Sequence, residues 1–149
     1  SGTASCTNPE NVTFQVQDFF SLPTESTTDK FSFIYDYTFL CAIDPSIRLQ
    51  WITKMSELVL KDGILLTLIF PICNKDGGPP FAMSLDLVED LLMSNEQKGK
   101  WEKLQLEILP VELSHEGRGG QAGGFNVSSA PAGSVAFEAY SGIGRWKRL

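Results

Sequence analysis

Phe31-Ser32-Phe33-Ile34-Tyr35-Asp36 is an apolar run that stops on an acid, and Ile64-Leu65-Leu66-Thr67-Leu68-Ile69-Phe70 is a second apolar run. Between them, Asp44-Pro45 reads as a helix start, with a capping carboxylate and a proline suited to the first helical position. Lys61-Asp62-Gly63 reads as its end, since a cation suits the C-terminus and glycine can take the left-handed conformation there. Ile47, Trp51, Met55, Leu58 and Val59 recur at three- and four-residue spacing, so Trp51 and Met55 read as core. Strand, helix and strand in this order predict a parallel pair with a right-handed crossover. The first strand is expected to be covered on both faces, the second to be the most buried, and Pro71 to end it. In such sheets ligands bind beyond the carboxyl ends of the strands, which directs attention to Asp36 and Tyr37.

Upstream, Val12-Thr13-Phe14-Gln15-Val16-Gln17 alternates apolar and polar residues, the period of a strand with one covered face, and leads into Asp18-Phe19-Phe20. Residues 21–30 are rich in Ser, Thr, Pro and charge and read as a surface loop. Downstream, Ser84 is placed to cap a helix that turns Leu85, Val88, Leu91 and Leu92 inward. Leu104-Gln105-Leu106-Glu107-Ile108 reads as a strand that ends before Pro110. Residues 116–144 are dominated by Gly, Ala and Ser and are expected to form a long flexible loop. Order is expected to resume at Gly144, with Trp146 as anchor. The 149 residues read as one domain.

The net charge of −6 disfavours nucleic acid and anionic membrane surfaces as partners. No apolar run approaches the roughly 20 residues needed to cross a bilayer. Cys6, Cys41 and Cys73 are widely spaced and odd in number, and read as reduced thiols of a cytoplasmic protein without metal-ligand spacing.

Among candidate site residues, Asp18 and Asp36 each follow a strand, where a carboxylate can accept from a ribose hydroxyl or an adenine amino group; the other reading is an acid that caps a loop. Phe19 suits stacking on an adenine or packing in the core. The hydroxyls of Tyr37 and Thr38 follow the same strand end. Gly77-Gly78-Pro79-Pro80-Phe81 combines two glycines that permit a sharp turn with two prolines that stiffen it, as a lid carrying an aromatic residue or as a rigid surface turn. His115, the sole histidine, stands without an evident partner acid or nucleophile, so no catalytic dyad is assigned. No Gly-x-x-x-x-Gly-Lys-Ser/Thr motif is present and no glycine fingerprint follows a strand, which counts against a nicotinamide oxidoreductase.

Taken together, these pieces resemble the thiopurine S-methyltransferase family, and most of all its plant and fungal branch of thiol and halide methyltransferases. The likeness is carried by Asn11-Val12-Thr13-Phe14 with Asp18-Phe19-Phe20, by the stretch from Phe33 through Asp36-Tyr37-Thr38-Phe39 to Ile43, by Leu60-Lys61-Asp62-Gly63-Ile64-Leu65, by Gly77-Gly78-Pro79-Pro80-Phe81 and by Gly144-Arg145-Trp146-Lys147-Arg148. It covers residues 11–115 and resumes at 144. The resemblance implies an α/β fold, a Rossmann-like class I S-adenosylmethionine-dependent methyltransferase sheet of seven strands with the last antiparallel. It implies S-adenosyl-L-methionine as cofactor and a small thiol or halide-like anion as acceptor. By the same resemblance Asp18 and Phe19 would contact the adenine, Tyr37 would touch cofactor and acceptor, and Thr38, Pro80 and Phe81 would lie near the acceptor; Asp36 is a candidate cofactor-binding residue from its place at the strand end alone. The family's glycine-rich loop and its ribose-binding acid fall upstream of this chain, so the sheet is expected to be incomplete on its N-terminal side. Two strands would then be missing between the Val12 strand and the Phe31 strand, leaving an apolar edge through which the chain would self-associate. The alternative function is a non-catalytic remnant that serves as an interaction or dimerisation module.

Overall fold

The structure is a computed structural model and describes residues 9–113 and 139–149. Its elements are strand β1 (Phe31–Tyr37), helix α1 (Arg48–Leu58), strand β2 (Val59–Ile72), helix α2 (Leu85–Leu92), strand β3 (Trp101–Ile108) and strand β4 (Tyr140–Arg148). They form a mixed α/β structure around a four-stranded sheet in the order β1-β2-β4-β3. β1 and β2 are parallel, and β4 runs antiparallel to both of its neighbours. The expected strand–helix–strand unit and the antiparallel last strand are therefore present, with four of the seven implied strands among the described residues. No helix of the described residues is long and apolar enough to cross a membrane.

The local capping signals hold. Asp44 Oδ1 accepts from the Ser46 amide at 2.8 Å and caps the short turn Pro45–Ile47 that leads into α1. Ser84 Oγ accepts from the Leu87 amide at 3.0 Å and caps α2. Trp51, Ile52, Met55 and Leu58 of α1, Val88 and Leu92 of α2, and Leu65, Ile69, Trp101 and Trp146 of the sheet make the core.

Several expectations are corrected. α1 ends at Leu58, not at Gly63, because Val59 already pairs with Phe31 and the chain enters β2 with no intervening loop. Residues 60–63 form an irregularity in the β1–β2 ladder, and the left-handed conformation falls on Asp62 (φ 64°). Gly63 is needed for close approach instead: a Cβ there would lie 2.8 Å from the Leu60 carbonyl and 3.0 Å from that of Ser32. β2 also continues through Pro71 to Ile72. Its pairing with β4 skips from Ile69↔Gly142 to Ile72↔Tyr140, so the proline sits in an irregularity where no ladder donor is required.

Among the described residues β1 is an edge strand, not one covered on both faces. Only Asp36 in it is buried, while Phe31, Phe33, Tyr35 and Tyr37 are each exposed by 42 to 54%. The alternating segment 12–17 forms no strand, and Phe14 and Val16 lie in solvent. Alternation alone builds nothing without a neighbouring ladder to pair with and a face to bury. At the C-terminal side, β4 starts at Tyr140, ahead of Gly144. His115 and residues 116–138 of the Gly/Ala/Ser-rich tract lie outside the described residues.

Candidate active site at the end of the first strand

Asp36 organises the carboxyl end of β1. It is 3% exposed, and both carboxylate oxygens are engaged by the chain itself. Oδ1 accepts from the amides of Phe39 (3.0 Å) and Leu40 (3.3 Å), and Oδ2 accepts from Trp51 Nε1 of α1 (3.0 Å). Burial pushes its pKa up, while the Leu40 and Phe39 amides and the Trp51 indole pull it down. These bonds make Asp36 a positioning residue. It turns the chain sharply after β1 and fixes that turn to the helix.

Thr38 lies at the corner with φ 62°, a region costly for a β-branched residue and one that clusters at functional sites. Its carbonyl accepts from Cys41 Sγ at 3.1 Å. Tyr37 projects from the strand end, 42% exposed, with its ring 5.8 Å from that of Tyr35.

Two remote segments are brought to this corner. Phe19 packs edge-on against Phe39 at 5.1 Å between ring centroids, and against Phe20 at 5.2 Å. That contact carries Asp18 to the same end of the sheet. Asp18 is exposed and caps its own turn, accepting from the Phe20 amide (3.1 Å) and from Ser21 Oγ (2.6 Å). The Ser21 hydroxyl, then the Phe20 amide, hold its pKa below the usual carboxylate value. From the other side, the Phe81 amide donates to the Cys41 carbonyl at 2.8 Å, which pins the end of the Gly77-to-Phe81 turn beside the corner. Gly78 allows this turn to fold on itself, because a Cβ there would meet the Phe81 ring at 2.5 Å. Phe19, through Phe39, and Phe81, through the Cys41 carbonyl, are thus brought against the segment that follows β1. Asp18 and Asp36 do not share a crevice as a pair of free carboxylates: one is an exposed cap, the other is turned inward.

Sequence reasoning missed Arg48. This first residue of α1 is 6% exposed, and its guanidinium carbon lies 6.0 Å from the centroid of the Phe81 ring. A signal was available. Arg48 falls three and four residues before Trp51 and Ile52, on the buried face, at the helix end where the dipole disfavours a cation.

Residues 2–123 match the family model of thiopurine S-methyltransferase. The chain is 40% identical over 86 residues to "Probable thiol methyltransferase 2" of Arabidopsis thaliana, covering 58% of this chain and 37% of that protein. It is 42% identical over 81 residues to "Thiocyanate methyltransferase 1" of Brassica oleracea, covering 54% and 34%. Against "Thiopurine S-methyltransferase" of Shewanella sp. (strain ANA-3) the identity is 38% over 82 residues, covering 54% and 37%. The match thus spans little more than a third of the length of these curated relatives. A solved structure from work on "Conversion of a Disulfide Bond into a Thioacetal Group during Echinomycin Biosynthesis" superposes with a TM-score of 0.53 at 14% identity, over 91% of this chain and 56% of that one, a likeness of fold.

Proposed function

The chain belongs to the thiopurine S-methyltransferase family, and on that premise we propose that it forms the acceptor side of an S-adenosylmethionine-dependent methyltransferase for small thiols or halide-like anions, within a single partial domain spanning 1–149. The observation that supports this most is the pinning of Phe81 to the Cys41 carbonyl beside the Thr38 corner, with Phe19 packed on Phe39 from the other side. The cofactor would supply a methyl group on a sulfonium sulfur. An exposed carboxylate at Asp18 beside the half-buried ring of Phe19 suits its adenosine end. Among the described residues no glycine-rich loop follows a strand to take the amino-acid end, so the fit is partial. Methyl transfer to a soft nucleophile asks for alignment and exclusion of water more than for a strong base. In this reading Thr38, Pro80 and Phe81 wall the acceptor, Tyr37 stands between acceptor and cofactor, and Asp36 holds the corner in place. The reading places the protein in the cytoplasm with reduced cysteines.

The test is an amide-resolved NMR titration of the chain with S-adenosylhomocysteine. Shifts are expected at Asp18, Phe19, Tyr37 and Thr38, with affinity weaker than micromolar. Shifts elsewhere alone, or none, would overturn the assignment, and micromolar affinity would overturn the partial-site reading.

The outer edge of β1 is also proposed as a self-association surface. Phe31 and Phe33 are about half exposed on a strand with no ladder partner on that side among the described residues. Sedimentation velocity over a concentration series is expected to show a reversible dimer. Phe33→Lys is expected to weaken it about tenfold, roughly 1.4 kcal/mol. A concentration-independent monomer sinks the proposal.

A further inference from the structure

The end of the sheet opposite the Thr38 corner holds a second pocket, of about 300 Å³. It lies where β1 begins, where α1 passes into β2 and where β4 ends. The length of β1, roughly 20 Å, separates it from the corner. Three cationic residues line it: Lys30 just ahead of β1, Lys61 in β2 and Arg148 at the end of β4. No acidic residue lines it. In a chain whose net charge is −6, three cations gathered without an acid run against the composition.

The acids on the lining elements are committed elsewhere. Asp29 accepts from the Ser26 amide at 3.3 Å in a capping box, Glu57 pairs with Lys54 at 3.3 Å, and Asp62 pairs with Lys147 at 2.8 Å. Lys30, Lys61 and Arg148 form no salt bridge with a side-chain carboxylate among the described residues. Arg148 is nevertheless held in place. Its Nε donates to the Ser56 carbonyl near the end of α1 (3.1 Å), and its Nη1 donates to the main-chain oxygens of Lys100 (3.0 Å) and Leu149 (2.9 Å). Its guanidinium carbon lies 5.9 Å from the centroid of the Trp101 ring. Nη2 makes no bond among the described residues. One fixed guanidinium with a spare nitrogen thus stands with two flexible ammonium groups. Such groups repel one another, and an anion between them removes the repulsion.

We propose that the Lys30–Lys61–Arg148 pocket binds a dianionic oxyanion, a phosphate group free or carried on a small molecule. Two negative charges and several acceptor oxygens engage more than one cation at once, which a halide does not. The exposed Thr27 hydroxyl lines the same pocket and adds a donor. The volume stands at the lower end of the small-molecule range, which suits a phosphate group and not a polymer. This site goes beyond the methyltransferase reading and does not depend on it. Because β1, the α1–β2 junction and β4 all meet there, an anion bound only by the folded chain also stabilises it by mass action.

The experiment follows amide resonances of the isotope-labelled chain during titration with sodium phosphate, sulfate and chloride at constant ionic strength. Thr27, Lys30 and Lys61 are expected to shift saturably with phosphate and sulfate and not with chloride, while Tyr37 and Thr38 stay in place. Lys61→Gln alters an exposed side chain and is expected to weaken phosphate about tenfold. Lys75→Gln, beyond the other end of β2, is expected to leave it unchanged. Glycerol 3-phosphate separates the two sources: tighter binding than phosphate assigns the site to a phosphate carried on an organic group, and weaker binding assigns it to the free anion. A linear drift shared with Lys75, an equal response to chloride, or unchanged affinity in Lys61→Gln overturns the site. The wild-type urea midpoint should also rise with phosphate at constant ionic strength, and a rise of equal size in Lys61→Gln counts against specific binding. A response to phosphate without one to S-adenosylhomocysteine keeps this site and rejects the methyltransferase reading; the reverse rejects this site alone.

Discussion

Asp36→Ala is expected to destabilise the chain by about 3 kcal/mol, with the urea midpoint as the readout. The substitution strips the acceptor from the Phe39 amide, the Leu40 amide and Trp51 Nε1 together. Each buried donor left unmatched costs about 1–3 kcal/mol, and the relief of a desolvated carboxylate offsets part of the sum. Asp36→Asn keeps one oxygen for the two amides but turns an amino group toward the indole N–H, and should cost about 1–2 kcal/mol. A loss below about 1 kcal/mol for the alanine variant would refute the positioning role. Hydrogen exchange at Phe39 and Leu40 should rise in step, because their amides would lose their acceptor.

The same residue carries a pH signature. Burial raises the Asp36 pKa above the usual aspartate value of 3.8, so its stabilising contribution is complete below that value and is lost as pH rises through the folded-state pKa. Asp18, Asp44 and Asp62 are held low, chiefly by Ser21, Ser46 and Lys147, and contribute above 3.8, losing that contribution as pH falls through their lowered values. The two trends oppose one another in the wild type. Subtracting the Asp36→Asn stability curve isolates the first, and the wild-type margin over this variant is expected to shrink from pH 4 toward pH 7. A margin that grows over that interval would contradict the assignment.

Trp146→Ala is the second large effect, expected at about 3–5 kcal/mol. The side chain is fully buried on β4, between β2 and β3, where its residue pairs with Leu65 and Lys103. Gly144, two residues earlier on the same face, has no room for a side chain: a Cβ there would lie 2.7 Å from Trp146 Nε1 and from Thr67 Oγ1. Truncation therefore opens a cavity at the centre of the sheet. The Trp146 indole N–H has no acceptor among the described residues, so Trp146→Phe loses no hydrogen bond and should cost under about 2 kcal/mol. Trp51→Phe removes a donor from the buried Asp36 carboxylate and should cost more than Trp146→Phe. Chemical denaturation of the three variants decides it, and the reverse order of the two phenylalanine variants would show that the Trp51–Asp36 bond contributes little.

What the sequence determined by itself is what depends on neighbours along the chain. Caps at Asp44 and Ser84 were legible because a side-chain oxygen reaches an amide two or three residues on, whatever the rest of the fold does. The buried faces of α1 and α2 and the anchor at Trp146 followed from periodicity and apolar bulk, and the family from several short motifs in combination. Tertiary structure alone decided the rest, because each remaining feature is set by a partner remote in sequence. A strand exists only where a neighbour offers a ladder, so residues 12–17 stay irregular, while Val59 leaves the helix early to pair with Phe31. An acid after a strand is a ligand group or a strut according to the donors that meet it, and for Asp36 the fold brings Trp51 from 15 residues away. The same holds at the corner itself. Phe81 reaches Cys41, and two nitrogens of Arg48 are buried without an acceptor among the described residues, only because helix, turn and strand end converge there.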